Sequence, residues 1–414
     1  MTDDAGPGTA GATGSDRTGT LATVGGLFVL SAAAAGYEIV PASVTSVIMA
    51  DLGITEPAAG WLVSVMFATA VVASIPAGIV LDRVVVRWAV TIAALALLGA
   101  GVWGYVAAAA GDYWLLVASR VVGGLAFVTI WNAGADLASR SVPPARRATA
   151  VGVFTASAPA GFALGQFGGP VIEAAFGWPA VFPALGSLAV VGLAGYLAGT
   201  RRLRATGNVP AASEPPTRAQ LGRVLADRRV WLVCGMGFAS FALYLFLNSW
   251  LPTFLVDRFD VLTLRTAGLL AALFPAVGIV ARSGGGVLSD RLFDGRRRPV
   301  TLLSFGASAP LVVAVSVVRE VALLVVLLVA AGAAVQFGLG LLFSYVREVG
   351  PEAVGATAVS MLTSAGLFGA FVAPIAAGAL IESTGGYRVA FAAAGGVAVF
   401  GLGLAVLAPE PARL

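Results

Sequence analysis

Four ionisable residues lie inside long apolar runs, where a charge is costly and therefore informative. Glu38 follows Tyr37 in the middle of the first run, Arg120 lies in the fourth, Asp136 near the end of that same run, and Arg282 in the eighth. Glu38 is the one acid in mid-run. A carboxylate taken out of water can carry a proton and release it when its surroundings change. Arg282 stands eight residues before Asp290, roughly 12 Å along a helix from the end of its run. Asp136 is near the surface, close to Arg140 and within reach of Arg87, which suits a clamp better than a solute contact. Tyr37, Tyr244, Asn248 and Gln336 add neutral polar groups at depth, each of which could equally bond a neighbouring helix.

Several chemistries are excluded. The chain has no His, so a histidine-ligated metal, a Ser-His triad and a histidine proton relay are ruled out. Its single Cys234 can form neither an internal disulfide nor a thiolate zinc site. The glycine-rich stretches at 165–170 and 284–286 lack the Lys-Ser/Thr ending of a phosphate loop. No cofactor is expected.

The elements that must position these residues are membrane helices. Of 414 residues, 58% are hydrophobic and 11% charged, against about 25% charged in soluble domains. A span needs roughly 20 apolar residues. Runs of that kind fall near 21–49, 58–81, 88–110, 114–139, 148–172 and 179–199, then near 230–255, 266–288, 299–318, 321–345, 353–381 and 389–407. The expected fold class is an all-α membrane protein with twelve transmembrane helices.

All basic residues are arginine, and they sit mostly in short loops, so a pI near 9.6 reports topology rather than nucleic acid. With both termini in the cytosol, the inner segments hold 19 arginines and the outer ones four: Arg258, Arg265, Arg319 and Arg388. This bias predicts cytosolic termini, and the expected location of this multi-pass chain is the plasma membrane. Residues 1–20 read as a disordered tail and 408–414 as a second tail. Residues 200–229, with three prolines and seven arginines, read as a cytosolic linker that could also touch anionic headgroups. It divides a six-helix half over 21–199 from another over 230–407.

Gly78, Asp82 and Arg83 close the second run, followed by Arg87; Gly286, Asp290 and Arg291 close the eighth, 208 residues later. Glycine lets two helices approach, and the Asp-Arg pair caps a tight turn at the membrane surface. Ala148–Val151 repeats as Ala356–Val359 in the same register, as do Pro143 and Pro351, Ala59-Gly60 and Ala267-Gly268, and Thr155 and Thr363. Matches in one register mark a duplicated unit. The paired Gly-x-x-x-Asp-Arg motifs resemble those of the major facilitator superfamily, after its second and eighth helices. That resemblance implies two pseudo-symmetric six-helix halves with a solute site near the midplane between them. It covers roughly residues 21–407.

Within it, Arg120-Val-Val-Gly-Gly124 resembles the fourth-helix motif of proton-coupled members. The first and fourth helices then line one cavity, where Glu38 could meet Arg120 either as a proton-coupling pair or as a static bridge. The stretch from Phe274 to Arg291 resembles the eighth helix of the nitrate/nitrite porter branch, whose corresponding arginine binds the anion. There Arg282 would hold the solute, unless it snorkels to the surface or pairs with a loop acid. The second arginine of that branch is replaced here by Ser74, and its glycine-rich signature is not recognisable in 161–170. An organic monocarboxylate or a cyanate-like anion therefore fits better than nitrate. The solute set is Arg282, Arg120, Tyr37, Tyr244, Asn248 and Gln336.

Two transport functions follow. One is secondary active transport of a small anion, coupled to protons or to exchange. The other is proton-coupled efflux of an amphipathic or cationic drug, with Glu38 as counter-ion. A membrane enzyme lacks a nucleophile–base pair or a metal cluster in this sequence. The expected partners are a small solute, protons and the bilayer, with no nucleic acid, and the chain is expected to act as a monomer.

Overall fold

The computed structural model of the chain describes residues 14–142, 147–204, 218–350 and 355–410, and every regular element among them is helical. No water answers backbone groups in hydrocarbon, so a spanning segment must satisfy them internally, as a helix does. The elements are α1 (Gly14–Ser43), α2 (Thr45–Leu52), α3 (Glu56–Arg83), α4 (Val86–Ala109), α5 (Tyr113–Arg140), α6 (Arg147–Thr155), α7 (Ser157–Phe176) and α8 (Val181–Arg204). They continue as α9 (Arg218–Ala226), α10 (Arg228–Arg258), α11 (Leu264–Leu292), α12 (Arg297–Val317), α13 (Val321–Val349), α14 (Gly355–Thr384) and α15 (Arg388–Leu407). Twelve helical segments among the described residues are long and apolar enough to cross a membrane. The fifth is broken at Ala156 between α6 and α7. Helix starts carry local signals: Asp112 accepts from the Leu115 N–H at 3.0 Å to open α5, and Thr263 from the Thr266 N–H at 3.3 Å to open α11.

Two boundaries differ from expectation. Helix α1 begins at Gly14, inside the stretch read as tail. Its first turns are held by packing: Gly199 of α8 lies against the Gly19 carbonyl and Thr23, and the Thr20 hydroxyl donates to the Ser141 carbonyl at 3.2 Å. Composition alone does not show such support. In the stretch read as linker, α8 runs on to Arg204, and α9 is a short helix anchored by the buried Val224. Residues 1–13, 205–217 and 411–414 of the expected tails and linker lie outside the described residues.

Helices α1 to α8 pack as one group and α10 to α15 as another. In the first group α1 runs between α7 and α8, where Gly161 and Gly192 bring backbones into contact. In the second, α10 is enclosed, with every residue from Ala242 to Leu255 buried. The rim is apolar: Trp88, Ile92, Leu95, Val102 and Val106 of α4 are exposed, as suits a lipid-facing surface.

Twelve crossings put the start of α1 and the end of α15 on one side, the terminus side; the other is the far side. The groups meet closely at the far side. A side chain on Gly60 of α3 would lie 2.7 Å from the Pro374 carbonyl of α14, and one on Gly378 of α14 would meet the Glu56 carbonyl of α3 at the same distance. Trp61 packs edge-on against Phe371, ring centroids 5.6 Å apart. Gly268 of α11 abuts the Gln166 carbonyl and Pro170 of α7. Small residues thus let the two groups close on one another at the far side.

Candidate functional site

Arg120 of α5 is wholly buried. Its Nε donates to the Leu62 carbonyl of α3 at 2.9 Å, its Nη1 to the Tyr37 carbonyl of α1 at 2.6 Å, and its Nη2 to the Glu38 carbonyl. The guanidinium lies 4.7 Å from the Tyr37 ring centroid, in range for a cation–π contact. The cause is in the sequence of α1. Pro41 has no N–H to return to the carbonyl four residues earlier, so Tyr37 offers a free acceptor in mid-membrane. Taking a guanidinium out of water costs several kcal/mol, and charged hydrogen bonds of about 1.5–3 kcal/mol each offset that.

The expected meeting of Glu38 with Arg120 is therefore corrected in kind. They are joined through the Glu38 main chain, and no ion pair links guanidinium and carboxylate among the described residues. Glu38 Oε1 is buried without a hydrogen-bond partner, as is the Tyr37 hydroxyl. With three donors engaged and no exposure, Arg120 braces α5 against α1 and α3 and lines no open space in this conformation.

Arg282 of α11 is different. It is half-buried, its Nε donates to Gln336 Oε1 of α13 at 3.2 Å, and its guanidinium sits 5.0 Å from the Tyr244 ring centroid of α10. The Gln336 amide in turn donates to the Phe274 carbonyl at 2.9 Å. Gln336 fits because Gly278 has no side chain to meet it. No carboxylate pairs with Arg282 among the described residues, so the expected alternative of a loop acid is not what holds it. Tyr244 stacks on Phe162 of α7, centroids 5.2 Å apart. One turn on, Asn248 Nδ2 donates to the Tyr244 carbonyl at 2.7 Å, and Gln166 Nε2 of α7 donates to the Asn248 carbonyl at 2.5 Å.

The structure thus gathers Arg282, Gln336, Tyr244 and Asn248 into one cluster and leaves Tyr37 with Arg120 in another, while Glu38, which accepts from Arg120 through its main chain, also lies within electrostatic reach of Tyr244. The structure adds Phe162 and Gln166, which sequence reasoning missed. A signal existed for Gln166: Pro252 frees the carbonyl of Asn248, four residues earlier, so that carbonyl needed a donor from elsewhere.

At the terminus side, Asp290 Oδ1 accepts from Arg297 Nη1 at 2.8 Å, and Arg297 Nη2 also pairs with Glu348 of α13 at 2.8 Å. Arg291, the motif's own arginine, is exposed and makes no ion pair among the described residues. The reason is the turn. Gly286 lies inside α11, which runs on to Leu292, and Asp294 and Gly295 then take φ of 50° and 77°, folding the chain back so that Arg297 faces Asp290. Arg297 and Glu348 were missed, though Glu348 ends α13 much as Asp136 ends α5. Glu410, beyond α15, accepts from the Arg297 N–H at 2.5 Å and the Arg298 N–H at 3.2 Å, capping α12 from a distance. In the first group Asp136 pairs with Arg140 at 2.7 Å, while Arg87 makes no ion pair among the described residues. The side chains of Asp82 and Arg83, and the surroundings of Gly78, lie outside what is described.

Comparison with known proteins extends this picture. The sequence model described as the Major Facilitator Superfamily matches residues 26–355 and again 261–414. The chain is 26% identical over 315 residues to a probable sulfoacetate transporter of Cupriavidus necator, covering 71% of this chain and 72% of that one. It is 25% identical over 303 residues to a nitrite extrusion protein of Bacillus subtilis, covering 69% and 71%; this accords with the porter-like stretch around Arg282. A crystal structure of a bacterial homologue of the human lysosomal transporter Spinster, inward-facing and unoccupied, shares the fold with a TM-score of 0.74. It covers 96% of this chain and 98% of that one at 17% identity. The duplicated motif, the twelve helices and these matches have one reading: the chain belongs to the Major Facilitator Superfamily and is a membrane transporter, not an enzyme.

Proposed function

We propose that the chain is a secondary active transporter of a small anion, and that Arg282 holds the solute between the two six-helix halves. The observation that carries this is a half-buried guanidinium deep in the bundle with neutral neighbours, Gln336 and Tyr244, and no acid paired with it among the described residues. A buried charge without a counter-ion is costly, and an anionic solute would supply the missing partner. The names of the relatives point the same way, since sulfoacetate and nitrite are both anions.

In this reading the halves, 21–199 and 230–407, rock about the solute, and the linker over 200–229 joins them in the cytosol. The arginine bias favours cytosolic termini, and in this reading the form described here is closed on the outside. The protein works as a monomer in the plasma membrane. Glu38 is the proposed proton carrier. Its Oε1, buried without a partner here, would gain one when the halves shift and water reaches α1.

The test is thermal stabilisation of the purified protein by a panel of small anions and cations, since a ligand of the folded state raises apparent stability. Anions should stabilise the native chain and lose that effect on Arg282→Gln. Stabilisation by lipophilic cations alone would overturn the reading in favour of drug efflux.

A further inference from the structure

The site is built for more than a negative charge. Two of its amides have their orientation dictated by the backbone. Gln166 must turn its NH₂ to the Asn248 carbonyl, and Asn248 must turn its own to the Tyr244 carbonyl, because a carbonyl can only accept. What remains on each is an oxygen, and both Gln166 Oε1 and Asn248 Oδ1 are buried without a donor. Both residues are at most 2% exposed. Such an acceptor is uncommon in a native interior and calls for an explanation. In a protein that cycles between states, another state can supply the donor.

The two oxygens belong to side chains packed around the Tyr244 that Arg282 covers, and the Tyr244 hydroxyl is itself buried without a partner. The Arg282 guanidinium covers the Tyr244 ring, and Asn248 follows one turn along α10, a rise of roughly 6 Å toward the far side. A solute with its anionic end on Arg282 that extends along Tyr244 therefore meets acceptors. Nitrite, a sulfonate or a plain carboxylate offers only acceptors at that point. An ammonium group would bring a second charge to neutral amides.

Resting on the anion reading above, we propose that the solute is a hydroxylated carboxylate: its carboxylate lies on Arg282, and hydroxyl donors several bonds away answer Gln166 Oε1 and Asn248 Oδ1. Both oxygens are sealed while the far side is closed, so these bonds form as the halves part around the solute.

Affinities of the purified full-length protein for gluconate, hexanoate, glutamate and nitrite test this. The first two share length and charge and differ in hydroxyls. Gluconate should bind about tenfold or more tightly than hexanoate, the loss of one or two hydrogen bonds to buried groups. Gln166→Leu and Asn248→Leu should each bring that ratio toward one, and Arg282→Gln should weaken both acids. Residual hexanoate binding shows that a variant is folded; where Gln166→Leu is not, Gln166→Met keeps the length and carries the test. Equal binding of the two acids, both dependent on Arg282, overturns the hydroxyl proposal and leaves the anion transporter standing. So does a preference that survives both amide substitutions, or tighter binding of glutamate than of gluconate. Failure of every anion, nitrite included, overturns both.

Discussion

Arg120 Nη1 donates to the main-chain carbonyl of Tyr37 at 2.6 Å, and that carbonyl stands four residues before Pro41, which has no N–H to return to it. A cation on one helix answers a proline on another. Arg120→Met should therefore strand an acceptor and lower stability by about 1–3 kcal/mol. Adding Pro41→Ala gives α1 back its own N–H and should recover most of the loss. Thermal unfolding of the single and double variants in detergent measures it, and no recovery in the double variant would show that the proline carbonyl is not the cause.

Glu38 forms no ion pair with Arg120, so neutralising it strands no guanidinium. Glu38→Gln should fold normally, lose proton-driven accumulation and keep solute exchange across the membrane. Both activities can be read in the same proteoliposomes. Accumulation that persists under a proton gradient would remove Glu38 from coupling.

The terminus-side network separates two arginine candidates, Arg291 and Arg297. Arg297 joins Asp290 to Glu348, while Arg291 is exposed. Arg297→Gln and Asp290→Asn should slow transport severalfold with little change in solute affinity, whereas Arg291→Gln should be close to neutral. Single exposed pairs contribute about 1 kcal/mol or less, which is why a change in rate, not in folding, is the expected signature. An Arg291 variant as slow as the Arg297 one would return the role to the adjacent arginine.

Far-side closure depends on bare backbone. A leucine at Gly60 has no room beside the Pro374 carbonyl, so Gly60→Leu should hold the halves apart there. Ser64, one turn along α3 and fully buried, reports on this as Ser64→Cys. The native Cys234 is buried and gives little background. A membrane-impermeant thiol reagent should label Ser64→Cys slowly alone and many-fold faster with Gly60→Leu. Equal labelling would show that this contact does not govern closure.

The fold was legible because its signals are local: twelve apolar lengths, a repeated Gly-x-x-x-Asp-Arg, and arginines in the loops. Arg282 and its neighbours Tyr244, Asn248 and Gln336 were legible for the same reason, as polar groups at depth in apolar helices. The partners of Arg120 were not. Matching acids to bases looks among side chains, and this guanidinium is satisfied by three carbonyls that no residue type announces. Arg297 was hidden by geometry. Neighbours in sequence point about 100° apart on a helix, and only the turn at Asp294 and Gly295 decides which arginine comes back to Asp290. The early start of α1 depends on Gly199, most of the first group away in sequence.

The cap that Glu410 places on α12 has a bearing on biosynthesis. The two ends of the bond to the Arg297 N–H are 113 residues apart. At roughly 5–20 residues per second, α12 is made on the order of ten seconds before the carboxylate that closes its first turn. Until then those amides face the terminus-side water, and Arg298 has no Val406 carbonyl to hold. The second half is thus left unfinished at its second loop until its last helix is in place, and a nascent chain stalled within α15 would carry eleven complete spans but an uncapped α12.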